Sequence, residues 1–523
     1  MAPMDPAEQQ RRLLDALADP ARFPHPVERV ERIETHISVV LLAGEFAYKI
    51  KKPLDVGFLD FSTLERRRHF CEEELRLNRR LAPDLYLEVL PITGTPEQPR
   101  LGGEGEAIEY ALCMRRFPQE ALLGARLARG ELPAAVMDEL AAELADFHAR
   151  AAVAAPDSGY GDFAAIAGPA RDNLTVLAER LPAAERSGLA ALRDATEADL
   201  ARLAPVFEAR LRAGRVRECH GDLHLGNMLH HQGRLLIFDG IEFDPLLRWI
   251  DVMNDLAFAL MDLDYRGAPT LARRLKAAYL ERGGDYQGLA VLRFYQGYRA
   301  LVRAKIAALR AGQLRGEDCR QAWDECRGYL ALAQRYAAAP RPYLAITCGA
   351  SGSGKSTLAQ RLVEQGGFVR LRSDLERKRL HGLAAEARSD SPLGDKLYTA
   401  AATDATYARL LELAEAALRA GERVVVDASF LQRERREPFC QLARRLDVPF
   451  SILLLQGEPE ALAARIEQRR ARGGDPSEAT VEVLRHQLAT AQWPTTEEGA
   501  LLTLAADGSD WDARLGGLTE VGG

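Results

Sequence analysis

Residues 220–227, which read HGDLHLGN, combine side chains that could act on a phosphate group. Asp222 is followed five positions later by Asn227, and twelve residues further on the apolar run LLIFD ends in Asp239. A carboxylate can accept the proton of a hydroxyl group, while amide and carboxylate oxygens are ligands for Mg²⁺. The spacing therefore predicts a phosphoryl-transfer site with Asp222 as the catalytic base and with Asn227 and Asp239 as metal ligands.

Such a site also needs a cation that faces the donor phosphates. The stretch FAYK at residues 46–49 is typical of a strand that carries this lysine, so Lys49 is the candidate. Glu74, on the helix that follows, is the candidate ion-pair partner that would hold Lys49 on the nucleotide. Two more lysines follow closely, and Glu74 is the last of three consecutive glutamates, so ordinary surface charge is an open alternative for both residues.

A second phosphate-binding motif lies at residues 349–357, GASGSGKST, which matches the Walker A pattern G-x-x-x-x-G-K-[ST]. The apolar strand YLAITC precedes it and the helical run TLAQRLVEQ follows, so backbone N–H groups would surround a phosphate at a helix N-terminus. We expect Lys355 to reach the transferred phosphate and to act in catalysis, and Ser356 to bind Mg²⁺. The remaining residues predicted to bind the nucleotide are Gly349, Ser351, Gly352, Ser353, Gly354 and Thr357.

Two further acids follow apolar strands in the same half of the chain, Asp374 in LRSD and Asp427 in VVVD. Ligands bind at the carboxyl ends of parallel strands, so both acids should face the nucleotide. Asp427 suits an Mg²⁺ ligand, and Asp374 suits a catalytic carboxylate beside the acceptor hydroxyl. Arginines that close over the phosphates would complete the site. Arg469 is the candidate, among the arginines at 465, 469, 470 and 472; a solvated helix face is the alternative.

The elements that must position these residues differ between the two halves. In the first half, HISVVLLAGEFAYKI predicts two strands that turn at Ala43-Gly44, and AIEYALCMRRF predicts another strand. STLERRRHFCEEELRLNRRLA predicts a helix capped by Ser62, with Glu65 at the capping-box spacing. Residues 131–215 read as helical, and MDELAAELADFHAR places Leu140, Leu144 and Phe147 on one face.

In the second half, the strands YLAITCG, FVRLRSD, RVVVDAS and FSILLLQ alternate with helical segments, which indicates a parallel sheet covered by helices. The proline-containing stretch AAAPRPY at 337–343 marks the predicted boundary. We expect an N-terminal helical extension at 1–26, an α+β domain at 27–337 and an α/β P-loop domain at 343–523.

Composition limits the classes of protein. Apolar residues make up 47% and charged residues 28% of the 523 residues, as in a globular protein. The net charge of −7 gives no overall attraction to nucleic acid or to anionic membranes. The seven scattered cysteines and the charged N-terminus favour a cytoplasmic protein with no membrane partner.

The first half resembles the aminoglycoside phosphotransferase and choline kinase branch of the kinase-like fold, through HGDLHLGN, IFDGIEF and DLAFALMD over roughly residues 27–335. The resemblance implies ATP as phosphate donor, Mg²⁺, and a small-molecule acceptor. Two features depart from kinase patterns: no G-x-G-x-x-G loop precedes Lys49, and no long activation segment follows Asp239. The second departure argues against a protein substrate.

The second half resembles small P-loop kinases such as gluconate kinase, zeta-toxin-type kinases and the kinase domain of polynucleotide kinase, through its P-loop, RSDLERKRL and VVVDASF. Together the halves resemble the bacterial proteins described as bifunctional aminoglycoside phosphotransferase-like/ATP-binding proteins. The expected function is a transferase with two ATP-dependent kinase sites that act on small hydroxyl compounds. Two alternatives stay open for the second half: a polynucleotide or nucleoside kinase, and a nucleotide-sensing module that regulates the first half.

Overall fold

The structure is a computed structural model that describes residues 5–55, 57, 59–182, 185–383, 399–472 and 480–519, without the side chains of 187, 469–472 and 519. It divides into two compact units. Unit 1 comprises residues 1–133, 147–166 and 208–262, and unit 2 comprises 134–146, 167–207 and 263–523. The limits of these units do not coincide with the domain limits expected from the sequence, which stay a prediction.

The strands and helices have the following bounds. The strands are β1 Val30–Glu34, β2 Ser38–Ala43, β3 Phe46–Lys51, β4 Tyr86–Thr95, β5 Gln98–Leu101, β6 Ala107–Arg115, β7 Val216–Glu218, β8 Met228–His231, β9 Arg234–Ile237, β10 Trp249–Asp251, β11 Tyr343–Cys348, β12 Phe368–Arg372, β13 Arg423–Asp427, β14 Phe450–Gln456 and β15 Ala500–Ala505. The helices are α1 Pro6–Ala16, α2 Leu64–Asn78, α3 Leu123–Ala128, α4 Ala135–Arg150, α5 Phe163–Arg180, α6 Ser187–Arg212, α7 Pro245–Arg248, α8 Val252–Tyr265, α9 Pro269–Gly283, α10 Leu289–Ala311, α11 Gly316–Ala337, α12 Lys355–Gly366, α13 Ser373–Leu380, α14 Ala400–Arg419, α15 Arg433–Leu446, α16 Pro459–Arg472, α17 Val481–Thr490, α18 Trp511–Arg514 and α19 Gly516–Thr519.

Unit 1 is built on an antiparallel sheet with the strand order β1-β2-β3-β6-β4-β5. Strands β2 and β3 form the hairpin predicted from the sequence, with the turn after Ala43. Buried residues of these strands share one core with Leu13, Leu14 and Leu17 at the N-terminus. Because α1 supplies two of these leucines, it is part of this core.

Helix α2 begins one residue later than the sequence analysis expected. Thr63, not Ser62, is the N-cap: its hydroxyl oxygen accepts a hydrogen bond from the N–H of Arg66 at 3.2 Å. The Ser62 hydroxyl donates to Asp60 instead, at 2.6 Å. With Thr63 as cap, the third helical position holds Arg66, so Glu65 cannot complete a capping box from the second position. Its charge still favours the helix N-terminus.

The predicted helices of residues 131–215 form as α4, α5 and α6. Leu140, Leu144 and Phe147 on α4 are all buried, as their spacing predicts.

Unit 2 contains a parallel sheet with the strand order β12-β13-β11-β14-β15. The first four strands in chain order, β11–β14, coincide with the four predicted strands, and the predicted parallel pairing is confirmed. Strand β15 was missed by the sequence analysis, although its sequence ALLTLA is apolar; it lies at the sheet edge and is only partly buried. Apolar residues of β11, β13, β14 and α12 form the core of this sheet.

Candidate active sites

Lys49 lies at the centre of the first candidate site, in unit 1. Its Nζ is 2.7 Å from Oε1 of Glu74 and 2.8 Å from Oδ1 of Asp239. Glu74 is fully buried, whereas about half of the Asp239 side chain (46%) is exposed. The structure therefore brings together a lysine, a helix glutamate and a strand-terminal aspartate that lie far apart in the sequence.

The charges of this group stabilise one another. Burial works against the charged forms, but the carboxylates of Asp239 and Glu74 outweigh it for Lys49, so the lysine pKa lies well above its ordinary value. Burial likewise opposes ionisation of Glu74, but the ammonium groups of Lys49 and Lys51 lower its pKa to about 2. Lys49 is therefore cationic and Glu74 anionic at neutral pH.

Lys51 and Glu242 also belong to this group, although the sequence analysis did not place them there. The Lys51 ammonium is buried; it contacts Oε2 of Glu74 at 2.7 Å and also the Glu242 carboxylate. Alternate residues of a strand point to the same face, so Lys51 had to accompany Lys49 on β3. This alternation is the signal from which Lys51 could have been placed beside Lys49. Burial raises the pKa of Glu242.

Asp239 is held by backbone contacts as well as by its side chain. Its φ of +61° lies in the left-handed region, a conformation that is uncommon outside glycine and often found at functional sites. The N–H of Asp239 donates to the Tyr86 hydroxyl at 3.1 Å, and the N–H of Gly240 donates to Oδ1 of Asn78 at 2.8 Å. Asn78 ends α2, the helix that carries Glu74.

Asp222 and Asn227 are joined within one loop. Nδ2 of Asn227 donates to the carbonyl oxygen and to Oδ2 of Asp222, both at 3.0 Å. Oδ1 of Asn227 can therefore accept a hydrogen bond or act as a metal ligand. Nδ1 of His224 accepts the N–H of Gly226 at 3.1 Å. This contact gives His224 a structural role within the loop.

Asp255 fixes the start of the same loop. Its carboxylate accepts the N–H groups of His220 at 3.0 Å and Gly221 at 2.9 Å, and it contacts Nε2 of His148 at 3.1 Å. Burial opposes the charge, but the bond to His148 and the other contacts lower the pKa of Asp255 to about 2. Burial lowers the pKa of His220.

The second candidate site, in unit 2, is the loop between β11 and α12. Gly352 has a φ of +82°, and a Cβ at this position would lie 2.6 Å from the carbonyl oxygen of Leu462, so the loop needs glycine here. Nζ of Lys355 donates to the carbonyl oxygen of Ala350 at 2.8 Å. Ser356 and Thr357 are exposed in the first turn of α12, where N–H groups favour an anion.

The two predicted acids take different positions around this loop. Asp427 ends β13 and is buried, as expected. Asp374 does not end a strand: β12 stops at Arg372, and Asp374 lies in the first turn of α13, because the helix starts directly at Ser373. Oδ1 of Asp374 is 3.3 Å from Nη1 of Arg377, and burial raises the pKa of Asp374.

Comparisons with known proteins identify a family for each half of the chain. The family described as "Phosphotransferase enzyme family" matches residues 59–295, and the one described as "AAA domain" matches residues 344–494. The uncharacterized protein Rv2004c of Mycobacterium tuberculosis is 30% identical over 478 residues, which cover 90% of this chain and 93% of that protein. The same figures apply to the uncharacterized protein Mb2027c of Mycobacterium bovis.

The chain belongs to the same family as these mycobacterial proteins, with an aminoglycoside phosphotransferase-like domain followed by a P-loop kinase-like domain. It is a phosphotransferase with a kinase-like domain followed by a P-loop kinase domain.

Solved structures with remote similarity include a choline kinase from Cryptosporidium parvum Iowa II, which is 10% identical and has a TM-score of 0.40 over 62% of this chain and 95% of its own. A gluconokinase from Sinorhizobium meliloti 1021 is 22% identical with a TM-score of 0.23, over 35% of this chain and 95% of its own. Among the described residues of the kinase, none of the helices is long and apolar enough to cross a membrane.

The arginines predicted to close over the P-loop of the kinase lie on α16. Nη1 of Arg465 donates to the carbonyl oxygen of Ala506 at 2.7 Å, which is a structural contact. The side chains of Arg469, Arg470 and Arg472 lie outside the described residues, so the role of Arg469 stays a prediction.

Gln487, on α17, is a P-loop contact that the sequence analysis missed. Its Oε1 accepts the N–H of Ser351 at 2.8 Å. Nothing in the local sequence marks this glutamine, because α17 reaches the loop only through the packing of α16 and α17, where Ile466 and Leu484 share a buried cluster with Ala350.

Proposed function

We propose that this two-domain kinase catalyses two separate reactions, each of which transfers the γ-phosphate of ATP to a hydroxyl group of a small molecule. The observation that carries the first site is the placement of Lys49 between Glu74 and Asp239, at 2.7 Å and 2.8 Å. A lysine held this way presents its charge to donor phosphates at a fixed position, which is most of what phosphoryl transfer requires of a protein.

In the first site, Asp222 would accept the proton of the acceptor hydroxyl while the oxygen of that hydroxyl forms a bond to the γ-phosphorus. The bond between that phosphorus and the bridging oxygen of ATP breaks, and ADP leaves. The free Oδ1 of Asn227 and the half-exposed carboxylate of Asp239 are hard oxygen donors of the kind that Mg²⁺ prefers. When bound there, the ion would neutralise charge on the donor phosphates.

In the second site, the N–H groups at the start of α12 and the Lys355 ammonium would hold the phosphates. Ser356 and Asp427 offer oxygen donors suited to Mg²⁺, and Asp374 would orient the acceptor hydroxyl. The raised pKa of Asp374 is the direction expected for a group that takes up a proton near neutral pH. Arg469 would add charge over the transferred phosphate.

The structure removes part of the support for a polynucleotide kinase. Arg436 is buried, bonded to Glu498 at 2.7 Å and 2.8 Å, and Arg435 is 2.9 Å from Asp404. Both arginines belong to the basic segment LQRERR at 431–436, which supports a polynucleotide kinase only if its arginines are free to bind phosphates, and both are engaged within the protein. A small hydroxyl compound is therefore the acceptor that we propose.

The test is a screen of small hydroxyl compounds with labelled ATP, run on the intact chain and on its Asp222→Asn and Lys355→Ala variants. Two reactions are expected, each lost in one variant only. If no compound is phosphorylated by the wild type, or if Lys355→Ala silences both reactions, the two-reaction proposal fails; the second result would favour a nucleotide-sensing role for the P-loop domain.

A further inference from the structure

Glu281 is a buried acid near the end of α9, within the residues that match the phosphotransferase family. Its partner is Arg370, on β12 of the P-loop domain and also within unit 2. Oε1 of Glu281 is 2.6 Å from Nε of Arg370, and Oε2 is 3.1 Å from Nη2. Two parallel bonds of this kind fix the plane of the guanidinium group.

The same arginine contacts the P-loop. Nη1 of Arg370 donates to the carbonyl oxygen of Ser356 at 3.3 Å. This carbonyl belongs to the first turn of α12, so Arg370 constrains the backbone that carries the predicted Mg²⁺ ligand.

A second arginine extends the contact to the other predicted ligand. Arg372 lies two residues further along β12; its Nη1 is 3.7 Å from Oε2 of Glu281, and its Nε is 3.9 Å from Oδ2 of Asp427. Arg372 is also the cross-strand partner of Asp427 in the register of β12 and β13. Glu281 is thus linked through one arginine to Ser356 and through the other to Asp427.

The position of Glu281 is itself fixed. Its carbonyl oxygen accepts a bond from Nη2 of Arg379 at 2.7 Å, and the Tyr286 hydroxyl donates to the carbonyl oxygen of Arg370 at 3.4 Å. These bonds therefore hold α9, β12 and α13 together at this point.

We propose that Glu281, a residue of the phosphotransferase domain, is a positioning residue for the P-loop site, because it orients Arg370 and Arg372 against Ser356 and Asp427. The P-loop domain then needs α9 to reach full Mg²⁺-dependent nucleotide binding. This inference rests on the proposed roles of Ser356 and Asp427 as Mg²⁺ ligands.

The experiment uses the full chain with Asp222→Asn and Asp239→Asn, so that the first site neither transfers phosphate nor retains its Mg²⁺-dependent binding. Three variants are compared in this background: Glu281→Gln, the pair Glu281→Gln/Arg370→Gln, and Lys276→Gln as control. Lys276 is also on α9 and pairs with Glu422 at 2.9 Å, just before β13 begins and away from the carboxyl ends of the strands. Mg²⁺-dependent ATP affinity is measured by calorimetry, ATP turnover by labelled ATP, and unfolding by urea.

Glu281→Gln is expected to weaken Mg²⁺-dependent ATP affinity on the order of 10-fold to 10²-fold, as the loss of a group that orients metal ligands does, whereas Lys276→Gln leaves it unchanged. The paired variant removes both buried charges, so its urea midpoint should recover while its ATP affinity stays low. Recovery of both properties would show a purely structural ion pair and overturn the proposal, as would equal affinities for Glu281→Gln and Lys276→Gln.

A Lys355→Ala variant in the same background separates this result from the proposed function. If it leaves turnover intact, the P-loop domain is not the proposed kinase, but the affinity comparison still decides the role of Glu281.

Discussion

At the scale of single residues, the first site separates a group that would act on the acceptor from a group that would hold the nucleotide. Asp222 is bonded to Asn227, whereas Asp239 is bonded to Lys49. Asp222→Asn should lower the first reaction on the order of 10²–10⁴-fold with ATP affinity nearly unchanged, because a positioned base is lost. Asp239→Asn should weaken Mg²⁺-dependent ATP binding. Turnover is measured by kinetics and ATP affinity by calorimetry for both variants. An equal loss of ATP affinity in the two variants would contradict this division of roles.

The P-loop site allows a parallel prediction. Lys355→Ala removes a point charge but leaves the backbone N–H groups in place, so the second reaction should slow by roughly 10²-fold or more. Asp374→Ala should slow it comparably but spare nucleotide affinity, since we place Asp374 beside the acceptor. Measured rates and ATP affinities of both variants check this. A loss of nucleotide affinity in Asp374→Ala would mean that Asp374 binds the nucleotide and not the acceptor.

The low pKa of Asp255 predicts that the free energy of unfolding falls at acidic pH. Its pKa in the folded state is about 2, below the value of about 3.9 in an unfolded chain. A depressed carboxyl pKa stabilises the fold fully above the unfolded value, and that contribution, on the order of 2–3 kcal/mol, is lost as the pH falls from about 4 to 2. The difference in urea unfolding free energy between wild type and Asp255→Asn should therefore shrink over this range. A difference that stayed constant down to pH 2 would contradict the assignment.

At the scale of elements, the start of α2 matters because this helix carries Glu74. Thr63→Ala should destabilise the first turn of α2 by about 1 kcal/mol, since the N–H of Arg66 loses its acceptor. Ser62→Ala is the matched control, because the Ser62 hydroxyl bonds Asp60 and not the helix. Hydrogen exchange over residues 64–78 should quicken only in Thr63→Ala. Equal exchange in the two variants would contradict the assignment of Thr63 as the cap, and faster exchange in Ser62→Ala would return the cap to Ser62.

At the scale of the whole molecule, the position of Arg370 distinguishes the intact chain from a fragment cut in the linker between α11 and β11. We propose that residues 343–523 fold alone, because the core of the parallel sheet lies within them. Arg370→Gln should lower the unfolding free energy of the intact chain by up to about 3 kcal/mol, since it leaves the buried Glu281 with only the longer contact of 3.7 Å to Arg372. In the fragment, which lacks Glu281, the same change should be neutral or stabilising. The measurement is urea unfolding of the wild type and of Arg370→Gln, each as the intact chain and as the fragment. An equal loss of unfolding free energy in the two forms would show that the ion pair with Glu281 does not stabilise the intact chain.

The sequence alone determined the motifs whose residues are neighbours in the chain. The loop that joins Asp222 to Asn227 and the loop between β11 and α12 could be recognised from the types and spacing of adjacent residues, although the distant residues Asp255 and Gln487 help to hold them in place. The four strands β11–β14 followed from apolar runs in the same way. Ser62, chosen as N-cap beside Thr63, shows the limit of local signals, because Asp60 decided which hydroxyl was free to cap the helix.

Only the tertiary structure decided which charges meet. Lys49 and Asp239 are 190 residues apart, and Arg370 and Glu281 are 89 apart. In the sequence these side chains look like the many lysines, arginines and acids that remain on the surface. Lys51 reads as part of a solvated charge run, yet it is buried against Glu74 and Glu242. A charge is stable in the interior only where packing places an opposite charge against it, and that depends on how distant segments fold together rather than on the residues beside it.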